Sequence, residues 1–148
     1  YCLKREEIPY TILRPGLLYG NGPAYKNHHP FLYEIIETAS KGQKISLFGE
    51  KGGIANYLHI KDFAEILYRV VKMGVFGTYD CVTRTPNTYL QIAKSVFELT
   101  KNKVAIEFQK DKPESGHGFA VDDTLYKKID YFPKISMYNG LKDILENK

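Results

Sequence analysis

Only a few side chains in this chain stand at spacings that could support catalysis. Tyr68 and Lys72 lie four residues apart, which is about one turn of a helix. A lysine in that position can lower the pKa of a tyrosine hydroxyl and make it a general acid or base. The simpler interpretation of this pair, and the one we favour, is two exposed side chains on a helix surface.

Histidines and cysteines are the other residues that could bind a ligand or a metal. His28 and His29 form a doublet before Pro30 and have no companion at metal-ligand spacing, so we predict no metal site. Cys2 and Cys81 are far apart and lack metal or redox spacing. Such cysteines are typical of a reduced, intracellular protein, and we predict a cytoplasmic location.

Glycine pairs are the remaining candidates, because closely spaced glycines let a backbone approach a pyrophosphate. That role requires a buried strand before the glycines and a helix after them. None of the pairs in this chain has both, so we interpret all of them as turns. The pairs are Gly20 and Gly22, Gly52 and Gly53, and Gly116 and Gly118.

The composition excludes several function classes. The chain has 148 residues, of which 43% are hydrophobic and 26% charged, as in an ordinary globular domain. Its formal net charge is +4, with basic and acidic residues interspersed, which argues against nucleic-acid binding. The apolar runs are too short for a membrane-spanning helix, so we expect neither a nucleic-acid nor a membrane partner.

Hydrophobic periodicity predicts an alternation of short strands and helices, which indicates an α/β or α+β fold. Helix starts are marked by Asp62 with Glu65, by Thr88 with Gln91, and by Ser136, as N-caps or capping boxes. Polar, glycine-containing residues 110–118 are long enough for a functional loop. The predicted strands are 10–13, 44–48, 56–60, 78–82 and 104–108; the predicted helices include 2–7, 30–41 and those after the three caps.

Four segments, in order, resemble a known family. They are Leu13-Arg14-Pro15 with Tyr19-Gly20; residues 42–49; residues 56–62, which end in Leu58-His59-Ile60-Lys61-Asp62; and Asp122-Asp123-Thr124-Leu125 leading to Phe132-Pro133-Lys134-Ile135-Ser136 and Gly140-Leu141. Each is weak alone, but together they resemble the extended short-chain dehydrogenase/reductases, the family of NAD-dependent epimerases and dehydratases of nucleotide sugars. The similarity extends over essentially the whole chain.

The resemblance implies an α/β fold that corresponds to the C-terminal part of such an enzyme. Residues 1–24 would end the dinucleotide-binding domain, contributing one or two strands of its Rossmann-type sheet, and residues 25–148 would form the small α/β substrate-binding domain. The family's catalytic Tyr-x-x-x-Lys would then precede residue 1. Tyr68 and Lys72 lie too far downstream to be that pair, and Tyr1 has Arg5 in place of the lysine. We therefore predict no catalytic residue in this chain and no activity for it in isolation.

The resemblance also implies a nicotinamide cofactor, NAD or NADP. In the family, the backbone after Arg-Pro abuts the nicotinamide, so Pro15, Gly16 and Leu17 are the candidate cofactor contacts. Simple loop geometry is an equally good explanation of Pro15 and Gly16. Arg14 is interpreted as a structural ion-pair partner.

A nucleotide sugar is the substrate that the resemblance implies. The doublet of His28 and His29 stands where the family places polar contacts to the nucleotide, although a surface doublet is the simpler interpretation. Phe48 would offer a stacking face to the base, or it would be strand core. The candidate substrate contacts are His28, His29, Ser46, Phe48, Tyr57 and Lys112.

Three positions depart from the family pattern for binding the diphosphate. Ala55 and Lys112 stand where arginines are common, and Leu17 stands where an asparagine often occurs. Lysine is a point charge, whereas arginine binds phosphate bidentately. These departures keep two alternatives open: an enzyme of this family with a non-nucleotide substrate, and a non-catalytic binding module. Two further expectations concern association: a homodimer, and self-association of the isolated chain through strand 10–13.

Overall fold

The computed structural model describes residues 8–50, 52–102, 105–114, 116 and 120–147. The predicted helix 2–7 lies outside these residues, as does part of loop 110–118. The strands are β1 (Thr11–Pro15), β2 (Leu17–Tyr19), β3 (Ile45–Phe48), β4 (Ile54–Ala55), β5 (Tyr57–His59), β6 (Gly77–Cys81), β7 (Asn87–Thr88) and β8 (Ile106–Gln109). The helices are α1 (Pro23–His28), α2 (Pro30–Ser40), α3 (Ile60–Met73), α4 (Tyr89–Thr100), α5 (Thr124–Lys128) and α6 (Met137–Glu146).

The strands associate in pairs, and three of the four pairs are parallel. β1 pairs with β6, β2 with β5, and β3 with β8, while the short β4 and β7 are antiparallel. Parallel pairing requires crossover connections, and helices supply them here. The alternation of strands and helices thus produces the α/β fold that the sequence predicts.

Side chains of β5 point alternately into two cores, since successive residues of a strand face opposite sides. Tyr57 belongs to the larger core, which is built on α2, α4 and α6. Leu58 belongs to the smaller core, with Ile66 and Val70 of α3 and with residues of α5 and β6. The segment 54–59 therefore lies where the two cores meet.

Two of the three predicted helix starts are confirmed. Thr88 and Gln91 form a reciprocal capping box at the start of α4, and the Ser136 side chain accepts from the Asn139 backbone N–H at the start of α6. The prediction of Asp62 as an N-cap is wrong. α3 begins at Ile60, three residues earlier than a cap at Asp62 would place it, and the His59 side chain caps it by accepting from the Lys61 backbone N–H.

Asp62 does not cap α3 because its carboxylate is engaged elsewhere. The residue is buried in the first turn of the helix and accepts hydrogen bonds from segment 131–135. The sequence pattern Asp-x-x-Glu fits a capping box, but this tertiary contact takes precedence.

Helices long and apolar enough to cross a bilayer do not occur among the described residues.

Candidate functional site

The loop between β1 and β2 is held by two backbone hydrogen bonds. The Gly16 N–H donates to the Cys81 carbonyl at 3.0 Å, and the Leu17 N–H donates to the Asn56 carbonyl at 2.8 Å. A Cβ on Gly16 would stand 2.6 Å from the Asn56 carbonyl oxygen, so only glycine allows this approach. Pro15 is exposed beside this anchored backbone. The role of Pro15, Gly16 and Leu17 as cofactor contacts stays a prediction.

Asn56 is the buried residue that organises this region, and sequence reasoning did not single it out. Its Oδ1 accepts from the Thr83 N–H at 2.8 Å, and its Nδ2 donates to the Thr83 carbonyl at 2.7 Å. The residue is 1% exposed. Asn56 therefore ties the loops after β1 and β6 together. The sequence offered one signal for Asn56, its position immediately before Tyr57 in the segment 56–62, which resembles the family.

Aromatic rings connect several of the predicted substrate contacts. We call His29, Phe31, Phe48, Tyr57 and Tyr89 the aromatic cluster. His29 meets Tyr57 edge-on with ring centroids 6.1 Å apart, and Tyr57 meets Tyr89 at 6.4 Å. Phe31 contacts Tyr89 at 4.7 Å and stacks on Phe48 at 6.0 Å. The fold thus links His29, Tyr57 and Phe48, which are distant in sequence, through Phe31 and Tyr89.

Lys112 is the cation at one end of the aromatic cluster. Its Nζ lies 4.5 Å from the centroid of the Phe48 ring, a cation–π arrangement. Ser46 lies two residues before Phe48 on the same strand and lines a groove of about 180 Å³ with Phe31. His28 is exposed at the end of α1 and stands outside the cluster.

Burial sets the protonation of the cluster. Desolvation lowers the pKa of His29, and the neighbouring His28 lowers it further, so His29 is a neutral hydrogen-bonding group near pH 7. Desolvation also raises the pKa of Tyr57 far above its ordinary value, with Tyr89 adding to the shift. Tyr57 is therefore a neutral phenol and not a tyrosinate base.

The departures from the family pattern lie in different surroundings. Ala55 is buried in β4, opposite Asn87, and places no cation near the aromatic cluster. Leu17 is half-buried and packs against the larger core. Lys110 and Lys112 are both exposed.

Tyr68 and Lys72 form a surface pair on α3. Both are exposed, with the Lys72 Nζ 5.5 Å from the Tyr68 ring centroid. Arg14 makes the expected ion pair, in which Nε lies 2.7 Å from Oδ1 of Asp80. Among the described residues, no group of three or more His, Cys, Asp or Glu side chains could hold a metal ion.

Sequence comparison finds relatives among nucleotide-sugar dehydratases. A dTDP-glucose 4,6-dehydratase from Neisseria gonorrhoeae is 27% identical over 126 residues, covering 76% of this chain and 36% of the relative. A trifunctional UDP-glucose 4,6-dehydratase, 3,5-epimerase and reductase from Arabidopsis thaliana is 24% identical over 144 residues, which cover 94% of this chain and 21% of the relative.

Solved structures show the same fold. A UDP-glucuronic acid 4-epimerase from Bacillus cereus, in complex with UDP-glucuronic acid and NAD, matches with a TM-score of 0.78 at 19% identity, covering 97% of this chain and 46% of that one. A dTDP-glucose 4,6-dehydratase from Bacillus anthracis, in complex with NAD, matches with a TM-score of 0.76 at 20% identity. The match covers 97% of this chain and 46% of that one. This chain therefore spans about half the length of these structures, and a smaller share of the sequence relatives. The structural matches confirm the predicted Rossmann-type α/β fold.

A family model identifies the chain more directly. The model of the NAD dependent epimerase/dehydratase family matches residues 1–80, which is more than half of the 148 residues. The match confirms the resemblance inferred from the four segments and, at the level of the family, the nicotinamide cofactor. This chain belongs to the NAD dependent epimerase/dehydratase family.

Proposed function

We propose that this chain supplies the substrate-binding part of an NAD(P)-dependent epimerase, dehydratase or reductase that acts on a nucleotide sugar. The family match supports the cofactor class, and the names of the sequence relatives support the substrate class. NAD, when bound, would accept a hydride from the sugar carbon. The whole protein's activity is part of this proposal, because the chain covers only a fraction of each relative.

The contact between Lys112 and Phe48 is the observation that carries the proposal. Phe31 stacks on Phe48, and the Lys112 ammonium lies over its ring, so a base would take the place of the ammonium. A cation–π contact at an exposed site is worth about 0.5–1 kcal/mol, whereas a stacked base is worth about 1–3 kcal/mol. The exchange favours the base, and it frees Lys112 to pair with the diphosphate.

Pro15, Gly16 and Leu17 are proposed to form one wall of the nicotinamide site. The hydrogen bonds of Gly16 and Leu17 give this wall a fixed position, and Gly16 permits no side chain there. Because this loop is already ordered, it can orient the cofactor without losing conformational entropy on binding. Proton transfer would fall to residues outside this chain, so we propose that the chain alone is not catalytic.

Calorimetric titration of the full-length protein with UDP-, GDP- and dTDP-sugars at saturating NAD tests the proposal. We expect one nucleotide class to bind in the micromolar range, and Lys112→Ala to weaken that binding about tenfold, as for loss of one charged contact. Lys94→Ala, an exposed lysine of α4, is the matched control and should leave binding unchanged. Nucleotide-sugar binding that is insensitive to Lys112→Ala would remove Lys112 from the site.

A non-nucleotide substrate is the second candidate function. Ala55 and Leu17 favour it, because neither can bind a diphosphate with its side chain. Binding of NAD without binding of any nucleotide sugar in the same titration would support this alternative. If neither ligand bound, a non-catalytic module derived from the family would be the better interpretation.

A further inference from the structure

A cleft of about 310 Å³ lies between two loops. Residues 83–87 form one wall, residues 133–137 form the other, and Tyr57 also lines it. This volume is at the lower end of the range for small-molecule sites, about 300–1,000 Å³. None of the predicted cofactor or substrate contacts other than Tyr57 lines this cleft.

Buried polar side chains hold both walls in place. Asn56 bonds to the N–H and the carbonyl of Thr83 in the first wall. In the second wall, the Asp62 carboxylate accepts from the backbone N–H of Lys134 at 3.1 Å and of Ile135 at 2.9 Å. Asn56 and Asp62 are each 1% exposed. A ligand would therefore meet walls that are already ordered, which lowers the entropic cost of binding.

The charge of the lining favours an anion. Among the described residues that line the cleft, Arg84 and Lys134 are cationic and none is acidic. Arg84 is oriented by Asp123, to which its Nε and Nη2 donate at 3.3 and 2.7 Å, and by the Phe132 ring 4.0 Å away. Asp123 offsets part of the charge, yet the N–H groups of Nη1 remain for a ligand.

Short polar side chains complete the lining. The Ser136 Oγ accepts from the Asn139 N–H, which leaves its hydroxyl hydrogen available for donation. Hydroxyl and amide groups at the wall of a cationic cleft suit the hydroxyls of a sugar. These side chains belong to Thr83, Thr85, Asn87 and Ser136.

We propose that this cleft binds a small, hydroxyl-rich molecule that carries a phosphate group, such as a sugar phosphate. Arg84 and Lys134 bind the phosphate, and the hydroxyl and amide side chains bind the sugar. The lining of the cleft includes neither Phe48 nor Lys112 and shares Tyr57 with the aromatic cluster, and the site needs no nucleoside. Its ligand class therefore differs from a nucleotide sugar in lacking the base.

Calorimetric titration of the full-length protein with glucose 1-phosphate, inorganic phosphate and glucose tests this site. We expect glucose 1-phosphate to bind most tightly, inorganic phosphate more weakly, and glucose not at all. Arg84→Gln and Lys134→Gln should each weaken the binding of glucose 1-phosphate about tenfold, as for loss of a charged hydrogen bond. Binding should also weaken as salt is raised.

Two controls separate this site from others. Lys127→Gln removes an exposed lysine of α5 that does not line the cleft, and Lys112→Ala removes the cation at the aromatic cluster. Both should leave glucose 1-phosphate binding unchanged. Lys134→Gln keeps the backbone N–H that Asp62 binds, so unaltered thermal unfolding will show that the walls persist. The proposal would be overturned if glucose 1-phosphate did not bind at millimolar concentration, or if Arg84→Gln and Lys134→Gln both bound it as tightly as the unaltered protein.

Discussion

The Asn56 side chain and the Thr83 backbone form a two-way hydrogen-bonded pair across 27 residues of sequence. The amide Nδ2 donates to the Thr83 carbonyl at 2.7 Å, and Oδ1 accepts from the Thr83 N–H at 2.8 Å. The Asn56 carbonyl also accepts from the Leu17 N–H. One buried residue thus positions both the proposed cofactor wall and one wall of the cationic cleft.

Replacement of the buried Asn56 by alanine should destabilise the protein by about 2–4 kcal/mol, because it leaves the N–H and carbonyl of the half-buried Thr83 without these partners. Urea denaturation measures the change in the free energy of unfolding. Asn27→Ala on the exposed side of α1 is the control, and it should change stability by less than about 0.5 kcal/mol. Similar small changes for both variants would show that the Asn56 pair contributes little.

Gly16→Ala should destabilise the protein by about 1–3 kcal/mol through overpacking. The added Cβ would stand 2.6 Å from a backbone oxygen of Asn56, and a backbone atom cannot move aside as a flexible side chain can. Thermal unfolding measures the loss. NAD affinity of the full-length protein should fall as well if the loop lines the cofactor. An unchanged unfolding temperature would show that the backbone at Gly16 and the backbone at Asn56 can move apart without cost.

Asp62 and Tyr131 should be energetically coupled. The Tyr131 hydroxyl donates to Asp62 Oδ1 at 2.6 Å, and burial together with this carboxylate raises the pKa of the tyrosine. A double-mutant cycle with Asp62→Asn and Tyr131→Phe should give a coupling free energy of about 1–3 kcal/mol by urea denaturation.

An exposed ion pair provides the comparison for that cycle. Arg14 and Asp80 form such a pair on β1 and β6, and its coupling should be at most about 1 kcal/mol. Coupling of equal size in the two cycles would contradict the special role of the buried carboxylate.

His59 should make stability depend on pH in the mildly acidic range. Burial lowers its pKa, and Asp143, whose carboxylate lies 3.7 Å away, offsets this only in part. Lys61 lowers the pKa further, and Asp62 raises it. The unfolded chain therefore takes up a proton first as pH falls below about 6.5. The free energy of unfolding should decrease from there toward lower pH, by at most about 1.4 kcal/mol per pH unit.

Replacement of His59 by asparagine tests this pH dependence, because asparagine preserves an N-cap acceptor for α3. The variant should show a flatter dependence of stability on pH between about 6.5 and 5 in urea denaturation. His29→Asn is the companion variant, since the pKa of His29 is also lowered. An unchanged slope in both histidine variants would contradict the assignment of this pH dependence to the histidines.

The carboxyls of Asp122 and Asp123 do not contribute in this pH range. Their pKa values are lowered, so the stability they contribute is lost only below about pH 4.

The sequence by itself determined the features that depend on residues close together in the chain. The capping box of Thr88 and Gln91 joins residues three apart, so no other part of the protein has to be known. The apolar spacing in α2 and α4 likewise follows from helix geometry. The family also follows from ordered local segments. The strand pairs were not predicted, because short apolar runs do not specify their partners.

Tertiary structure decided what the polar residues do. Asp62 and Glu65 have the spacing of a capping box, yet the Asp62 carboxylate binds residues more than 60 positions away. The stacking of Phe31 on Phe48 and the position of Lys112 over that ring depend on how α2, β3 and the loop after β8 pack. The cationic cleft joins Arg84 to Lys134 in the same way. Local sequence constrains a residue's own backbone, whereas the partners of a buried polar group are set by packing between distant segments.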